Sequence, residues 1–432
     1  MSDYIYMLES HLSPDQNRVV ADVQKAAGPA NVNLFLTGGA MRDMLAGYRI
    51  RDLDFVVEGN ALKLARTVCE ESGAKLVSAD ENRKSAELLF PSGVTVQISM
   101  SRQERYGRTG SKPQVSAATI QEDLRGRDFT CNAIALSLNR ASHGLLLDPM
   151  NGLADIGRRE LRAISAYGFY DDPTRLLRLE RFRIRLGFEV EERTRMQVSN
   201  AREAEVQKYI TPRAFAEELK RIAVEDSPAE ILKALEDAGF VAQFVPALEG
   251  PKLNLAGLAK FEKLARMLPD DTRSRAARFG PFMLVLTEKL TPRERQALIK
   301  HLEMPKADVD LWLKLDARAK KLETALRSQR LRKPSQVYHI LVAAAPDEVM
   351  LLLYRSALKP VQERLRSYFQ KYLPTVQEIP PEELAAITGK KARDDFITNR
   401  LDRRPPRVPT EPEAAPPPPP PVAEPVGRRP QR

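Results

Sequence analysis

The chain has 432 residues and carries 68 Lys+Arg against 58 Asp+Glu, a net charge of +10, with 43% hydrophobic residues. That length allows two to four domains, each with enough apolar content for a core, and the surplus of positive charge points toward a polyanionic partner. Two cysteines, four scattered histidines and the lack of any apolar run near the roughly 18 residues of a membrane span exclude a disulfide scaffold, a histidine-built metal hydrolase and a membrane protein.

The opening MSDYIYMLES lacks the basic and apolar regions of a secretory signal, which with the sparse cysteines points to the cytoplasm. Residues 32–36 (VNLFL) and the FVV after Asp54 are short apolar runs between turn signals, the pattern of buried strands. Residues 61–73 (ALKLARTVCEESG) have helical apolar spacing and end at a glycine. AELLF, a Pro-Ser-Gly turn and VTVQISM (86–100) form a hairpin pattern. Beyond residue 150 the periodicity becomes helical, through 174–188, 212–224 and 228–240 and on to about residue 372. From Arg403 the chain is proline-rich and has no aromatic residue, the composition of a disordered tail with polyproline II character.

The sharpest chemistry lies in residues 34–60 (LFLTGGAMRDMLAGYRIRDLDFVVEGN). A strand, the pair Gly38-Gly39 and a short helix place backbone amides where a phosphate can approach closely. Arg42 adds a cation, and Asp43 a capping partner. Asp52 and Asp54 stand at i and i+2, so on a strand they share one face, with Cα atoms about 6.5–7 Å apart. Carboxylates held this way can bracket divalent ions about 3.5–4 Å apart, the arrangement for in-line phosphoryl transfer, and hard oxygen ligands favour Mg²⁺. An acidic pair on an exposed edge strand is commoner, but Phe55, Val56 and Val57 follow at once and mark a central strand.

GGAMRDMLAGYRIRDLDFVVEG (38–59) closely resembles the signature GG-x-x-R-D…G-x-x-x-D-x-D of the tRNA nucleotidyltransferase and bacterial poly(A) polymerase family, within the polymerase-β-like nucleotidyltransferases. EDLRGRDFTCNAIAL (122–136) resembles the family's R-R-D-F-T-x-N-A block, with Gly126 in place of the first arginine. DPMNGLADIGRRELR (148–162) resembles its hinge, and YDDPTRLLRLERFRIRLGF (170–188) its E-D-P-x-R-x-x-R-x-x-R-F, with Asp171 in place of glutamate. ISMSRQERY (98–106) matches the R-x-E that precedes a flexible loop, and Gln97 stands where many relatives have an acid.

The resemblance implies an α+β fold, a mixed-sheet nucleotidyltransferase head followed by an elongated all-α neck, body and tail. The divisions it suggests are an N-terminal helical extension (1–29), a catalytic head (30–150), a neck for base and RNA (151–225), a helical tRNA-binding body and tail (226–400) and the proline-rich tail (401–432). It implies a CCA-adding enzyme, in which the 3′-hydroxyl of a tRNA end attacks the α-phosphate of CTP or ATP and pyrophosphate leaves. Asp52 and Asp54 would hold Mg²⁺ and carry catalysis. Gly38, Gly39, Arg42 and Arg178 would hold phosphates, with Asp43 beside them, and Arg127, Asp128 and Asn132 would lie about the ribose. Asp172 and Arg175 would read the base: a carboxylate only accepts hydrogen bonds and a guanidinium only donates, which suits the Watson–Crick edges of C and A and mismatches G and U.

Arg158, Arg159, Arg162, Arg181, Arg183 and Arg185 could track an RNA backbone or line solvated helix faces, while Trp312 and Tyr338 read as core or interface residues rather than base-stacking platforms. Residues 102–114 read as a mobile loop near the active site. The same head motifs would serve a poly(A) polymerase, a CC-adding or A-adding enzyme, or an inactive RNA-binding relative.

Overall fold

The structure, a computed structural model, describes residues 3–30, 32–266, 268 and 278–402. The proline-rich tail expected from Arg403 lies outside these residues. The described residues fall into two compact units, one within 1–327 with Ala343–Gln362, the other formed by Ser328–Val342 and 363–402. Among the described residues no single helix is long and apolar enough to cross a membrane.

Two helices, Asp3–His11 and Pro14–Ala30, lead into a seven-stranded mixed sheet. Its strands are β1 (Asn33–Thr37), β2 (Leu53–Glu58), β3 (Lys75–Asp80), β4 (Ser85–Leu89), β5 (Thr95–Met100), β8 (Ala135–Ser137) and β9 (Leu146–Leu147), in the order β3-β4-β5-β2-β1-β8-β9. Only β2 and β5 run parallel, joined by a crossover that holds the Ala61–Ser72 helix. That helix forms as the sequence predicts. Asn60 caps its start by accepting from the Lys63 amide, and Gly73 ends it at a left-handed φ of 72°.

The expected strands 32–36 and 86–100 appear within a residue or two as β1 and the β4/β5 hairpin. β3 was not anticipated: all six residues are exposed, so no apolar alternation marks it. The loop expected at 102–114 is instead partly ordered as a two-stranded ribbon, β6 (Arg102–Arg105) against β7 (Gln114–Ala117).

Alternation on β2 divides the head. Leu53, Phe55 and Val57 are fully buried on one face, while Val56 packs on the other with Phe35, Ile120, Leu124, Ala133 and Ala135. Asp54 shares the face of Val56 and stands opposite Thr37 of β1 and Gln97 of β5. Asp52, expected on the strand, precedes it. β1 ends at Thr37, opposite Asp54, and Gly38 turns the chain away, so no β1 partner remains for Asp52.

Helices follow as the periodicity predicts, among them Arg175–Leu186, closed by left-handed Gly187, then Pro212–Ala223 and Pro228–Asp237. Trp312 and Tyr338 are core residues, each inside its own unit. The helical run expected through residue 372 is present, with Tyr368–Tyr372 widened into a π-helical turn between α-helical segments.

Candidate active site

The site is built where β1 ends. Gly38 adopts φ 64°, ψ −124°, and a Cβ there would stand 3.2 Å from an Arg127 Nη and 3.3 Å from Asp54 Oδ2. The backbone conformation therefore calls for glycine, and the space beside it is tight. Gly39 opens the Gly39–Leu45 helix close to Asp54, where a Cβ would stand 3.7 Å from Asp54 Oδ2.

Asp54 is half-buried. Its removal from water, then the charge of Asp52, push its carboxyl up to about 6 against the pull of Arg127 and Arg42. Asp52 is more open; the cleft walls still raise its carboxyl, with Arg185 the chief opposing charge. Both acids line a cleft of about 790 Å³ that runs along the sheet past Thr95 and Gln97 to Glu87 and Ser78. Gln97 lies opposite Asp54 in the ladder, and Glu87 opposite Gln97 on the far side.

Among the described residues no cluster of three or more His, Cys, Asp or Glu is arranged to enclose a metal. Two carboxylates at the mouth of an open cleft suit a cation that takes one or two protein oxygens and completes its shell with water and phosphate, as Mg²⁺ does.

The other predicted residues divide into two groups. Arg127 stands beside Gly38 and donates to Asp123, to Thr37 Oγ1 (3.1 Å) and to the Asn132 carbonyl (3.1 Å). Arg175, at the start of its helix, donates to the carbonyls of Arg127 and Gly126, both at 3.1 Å. Asp172, expected on the same helical turn, lies outside it in an extended conformation and accepts from the Thr174 amide and hydroxyl. The Arg175 amide donates to the Asp172 carbonyl (3.0 Å), but the two side chains turn to different partners, Asp172 to Thr174 and Arg175 to the carbonyls of Gly126 and Arg127. Tyr106, beyond β6, lies near both and donates to Glu104.

Arg42, Asp43, Asp128 and Asn132 form the second group, buried at 2–7% exposure. Arg42 donates to Asp43 Oδ1 (2.9 and 2.7 Å) and to Asn132 Oδ1 (2.7 Å). Asn132 Nδ2 donates to Asp128 Oδ1 (3.0 Å), and Arg178 donates to Asp128 Oδ2 (2.8 Å). Burial alone would raise the Asp128 carboxyl; Arg178, Arg175 and Asn132 together hold it well below the usual carboxylate range. The geometry places these four as an internal brace under the site.

The six arginines offered as RNA contacts are all engaged within the chain. Arg181 is buried between Glu218 (2.6 Å) and Glu225 (3.0 Å), and Arg185 reaches Asp43 (2.6 Å). Arg158 and Arg162 pair with Asp155 and Glu160, Arg183 with Glu180, and Arg159 donates to the carbonyls of Leu186 and Gly187. Sequence spacing cannot see such partners, which arrive from about 35 to 140 residues away in the cases of Arg181 and Arg185.

Residues 34–162 match the family model described as the poly A polymerase head domain. The head belongs to this family. An A-adding tRNA nucleotidyltransferase of Aquifex aeolicus is 25% identical over 85% of the chain and 44% of its own length. One of the same name from Halalkalibacterium halodurans is 34% identical over 55% of the chain and 56% of its own length. A CC-adding tRNA nucleotidyltransferase of Deinococcus radiodurans is 34% identical over 56% and 63%. The chain thus spans about half the length of the curated relatives it matches.

Among solved structures, an apo CCA-adding enzyme aligns with a TM-score of 0.54 at 24% identity, over 93% of this chain and 95% of that one. The Thermotoga maritima CCA-adding enzyme complexed with tRNA aligns at 0.52 and 23%, with the same coverage. The poly A polymerase head therefore continues into a helical region that shares the fold of those enzymes.

Proposed function

We propose that the chain is a tRNA nucleotidyltransferase that adds C, C and A to the tRNA 3′ end from CTP and ATP in the cytoplasm. The observation that carries this reading is the pair Asp52 and Asp54 lining one open cleft, with the Gly38–Gly39 turn packed against the Asp54 carboxylate. The names of the relatives support its coarser part, a tRNA nucleotidyltransferase: enzymes so named, which add A or CC, match most or about half of the chain.

In this reading the triphosphate lies against the Gly38–Gly39 turn, whose shape leaves room for phosphate oxygens. Asp52 and Asp54 hold Mg²⁺, which when bound neutralises phosphate charge and lowers the pKa of the attacking hydroxyl. The 3′-oxygen of the tRNA bonds to the α-phosphorus, the bond to the β-phosphate oxygen breaks, and pyrophosphate leaves. Arg127, beside the turn, orients the nucleotide. Asp172 and Arg175 present an acceptor and a donor to the Watson–Crick edge, and a base with the wrong pattern leaves polar groups unpaired.

The test gives purified protein, Mg²⁺ and each nucleoside triphosphate in turn to tRNAs ending at the discriminator base, at C and at CC. The expected ladder is two C and one A. Addition of C alone, of A alone, or of a long A tract would replace the CCA reading with a CC-adding enzyme, an A-adding enzyme or a poly(A) polymerase. Asp54→Ala is expected to lose incorporation by about three orders of magnitude or more, and retained activity would refute the metal assignment.

A further inference from the structure

Three arginines of the Arg175–Leu186 helix leave it in different directions. Arg178 goes to Asp128 and Arg181 to Glu218 and Glu225, while Arg185 bridges Asp43 (2.6 Å) and Glu225 (3.4 Å). Asp43 also takes Arg42, Arg42 reaches Asn132, and Asn132 reaches Asp128, which accepts from Arg178. The contacts close a ring, from Arg185 through Asp43, Arg42, Asn132 and Asp128 to Arg178, and back along the helix. Phe182 lies inside it, with the guanidinium groups of Arg42 and Arg178 at 5.0 and 5.7 Å from its ring centroid.

Both carboxylate oxygens of Asp43 and of Asp128 are taken by ring members. Burying a charge is tolerable only in a paired geometry, so a displaced ring would leave acids unpaired in a low-dielectric interior. Arg178 and Arg185 are seven residues apart, about 10 Å along the helix axis. Attachment at two points that far apart fixes both the rotation and the slide of the helix against the Gly39–Leu45 helix. Glu225 ties in the neighbouring loop as well, since it also pairs with Arg51 (2.9 Å), the residue before Asp52.

We propose that Arg185, acting through Asp43, is a positioning residue that sets the distance between the base-reading pair, Arg175 at the start of its helix and Asp172 in the segment just before it, and the carboxylates of the metal site. The proposal rests on the nucleotidyltransferase reading for its effect on selectivity, but not for its geometry. Arg185 touches no reacting atom. It acts by holding the helix in register with the head.

The experiment uses the full chain with two substitutions, Arg185→Lys and Asp43→Asn, and two readouts. Lysine keeps a positive charge between Asp43 and Glu225, so the variant folds, but a point ammonium cannot fork to both. Hydrogen exchange of the amides from 172 to 186 is expected to rise about tenfold in each variant while that of β1 and β2 stays unchanged. Selectivity among the four nucleoside triphosphates is expected to fall about tenfold, through a raised KM for the correct nucleotide and greater use of the wrong ones. The double variant is expected to do little more than either single one, because both remove the same contact.

Unchanged exchange over 172–186 overturns the proposal. So does a uniform loss of activity with selectivity intact, which is the mark of a merely structural role. A wild-type protein that incorporates no nucleotide, with exchange still raised in the variants, rejects the nucleotidyltransferase reading and the selectivity effect together and leaves the geometric role standing.

Discussion

Asp54 is where burial and function oppose each other. Its folded carboxyl lies near 6, above the roughly 3.9 of an unfolded aspartate. Below about pH 4 both states hold the proton. As the pH rises toward 6 the unfolded chain releases it first, so the metal-free native state loses stability through that window. Asp54→Asn is therefore expected to raise the melting temperature at pH 8 while nucleotide incorporation is lost; an unchanged or lower melting temperature would contradict the cost of holding this charge away from water beside Asp52. Asp52→Asn removes the like charge beside it and should bring the Asp54 titration, followed by carboxyl NMR, closer to its ordinary value. At Cys131, burial pushes the thiol up to about 12. In a Cys69→Ser variant it should resist alkylation at pH 8 until the protein unfolds, and rapid labelling of the native variant would contradict the burial.

At the scale of elements, the turns and caps carry unequal weight. Asn60 caps the crossover helix through one hydrogen bond, and Asn60→Ala is expected to cost about 1 kcal/mol in a denaturant titration. Gly152 opens the Gly152–Arg158 helix, and a Cβ there would stand 2.1 Å from the Thr130 carbonyl oxygen. Gly152→Ala must push the 129–132 segment away and with it Asn132, so about 3 kcal/mol or more, or failure to fold, is expected. A Gly152→Ala protein with wild-type stability would show that the segment can move freely. The two glycines of the Gly38–Gly39 turn were legible in the sequence, because a doublet after an apolar run marks a turn. The demand at Gly152 was not, because the atom it must avoid belongs to Thr130, in a turn far back along the chain.

At the scale of the molecule, the net charge of +10 becomes a property of binding. If a tRNA is the partner, about six phosphate contacts would lower affinity roughly a thousandfold between 50 and 200 mM salt. A flat salt dependence in a filter-binding or fluorescence titration would count against a polyanion held by its backbone. The arginine content overstated the free charge. Arg42, Arg181 and Arg185 are consumed inside the protein, so positive charge available to RNA must come from other positions.

Local pattern by itself determined the strand–Gly-Gly–helix element, the acidic pair at i and i+2, and the change from mixed to helical periodicity after residue 150. Each of these depends on residues within a few positions of one another, where period and turn chemistry act directly. Tertiary structure decided which charged residues face a ligand. Arg42 reads as a phosphate-holding cation and Asp43 as a capping partner until the Arg175–Leu186 helix brings Arg185 across 142 residues to Asp43. Asp172 reads as Arg175's helical neighbour until Thr174 takes its carboxylate and ends the turn before it. A charge in a sequence has no partner until the chain folds, and partnership in a low-dielectric interior decides whether that charge braces the protein or remains free to act.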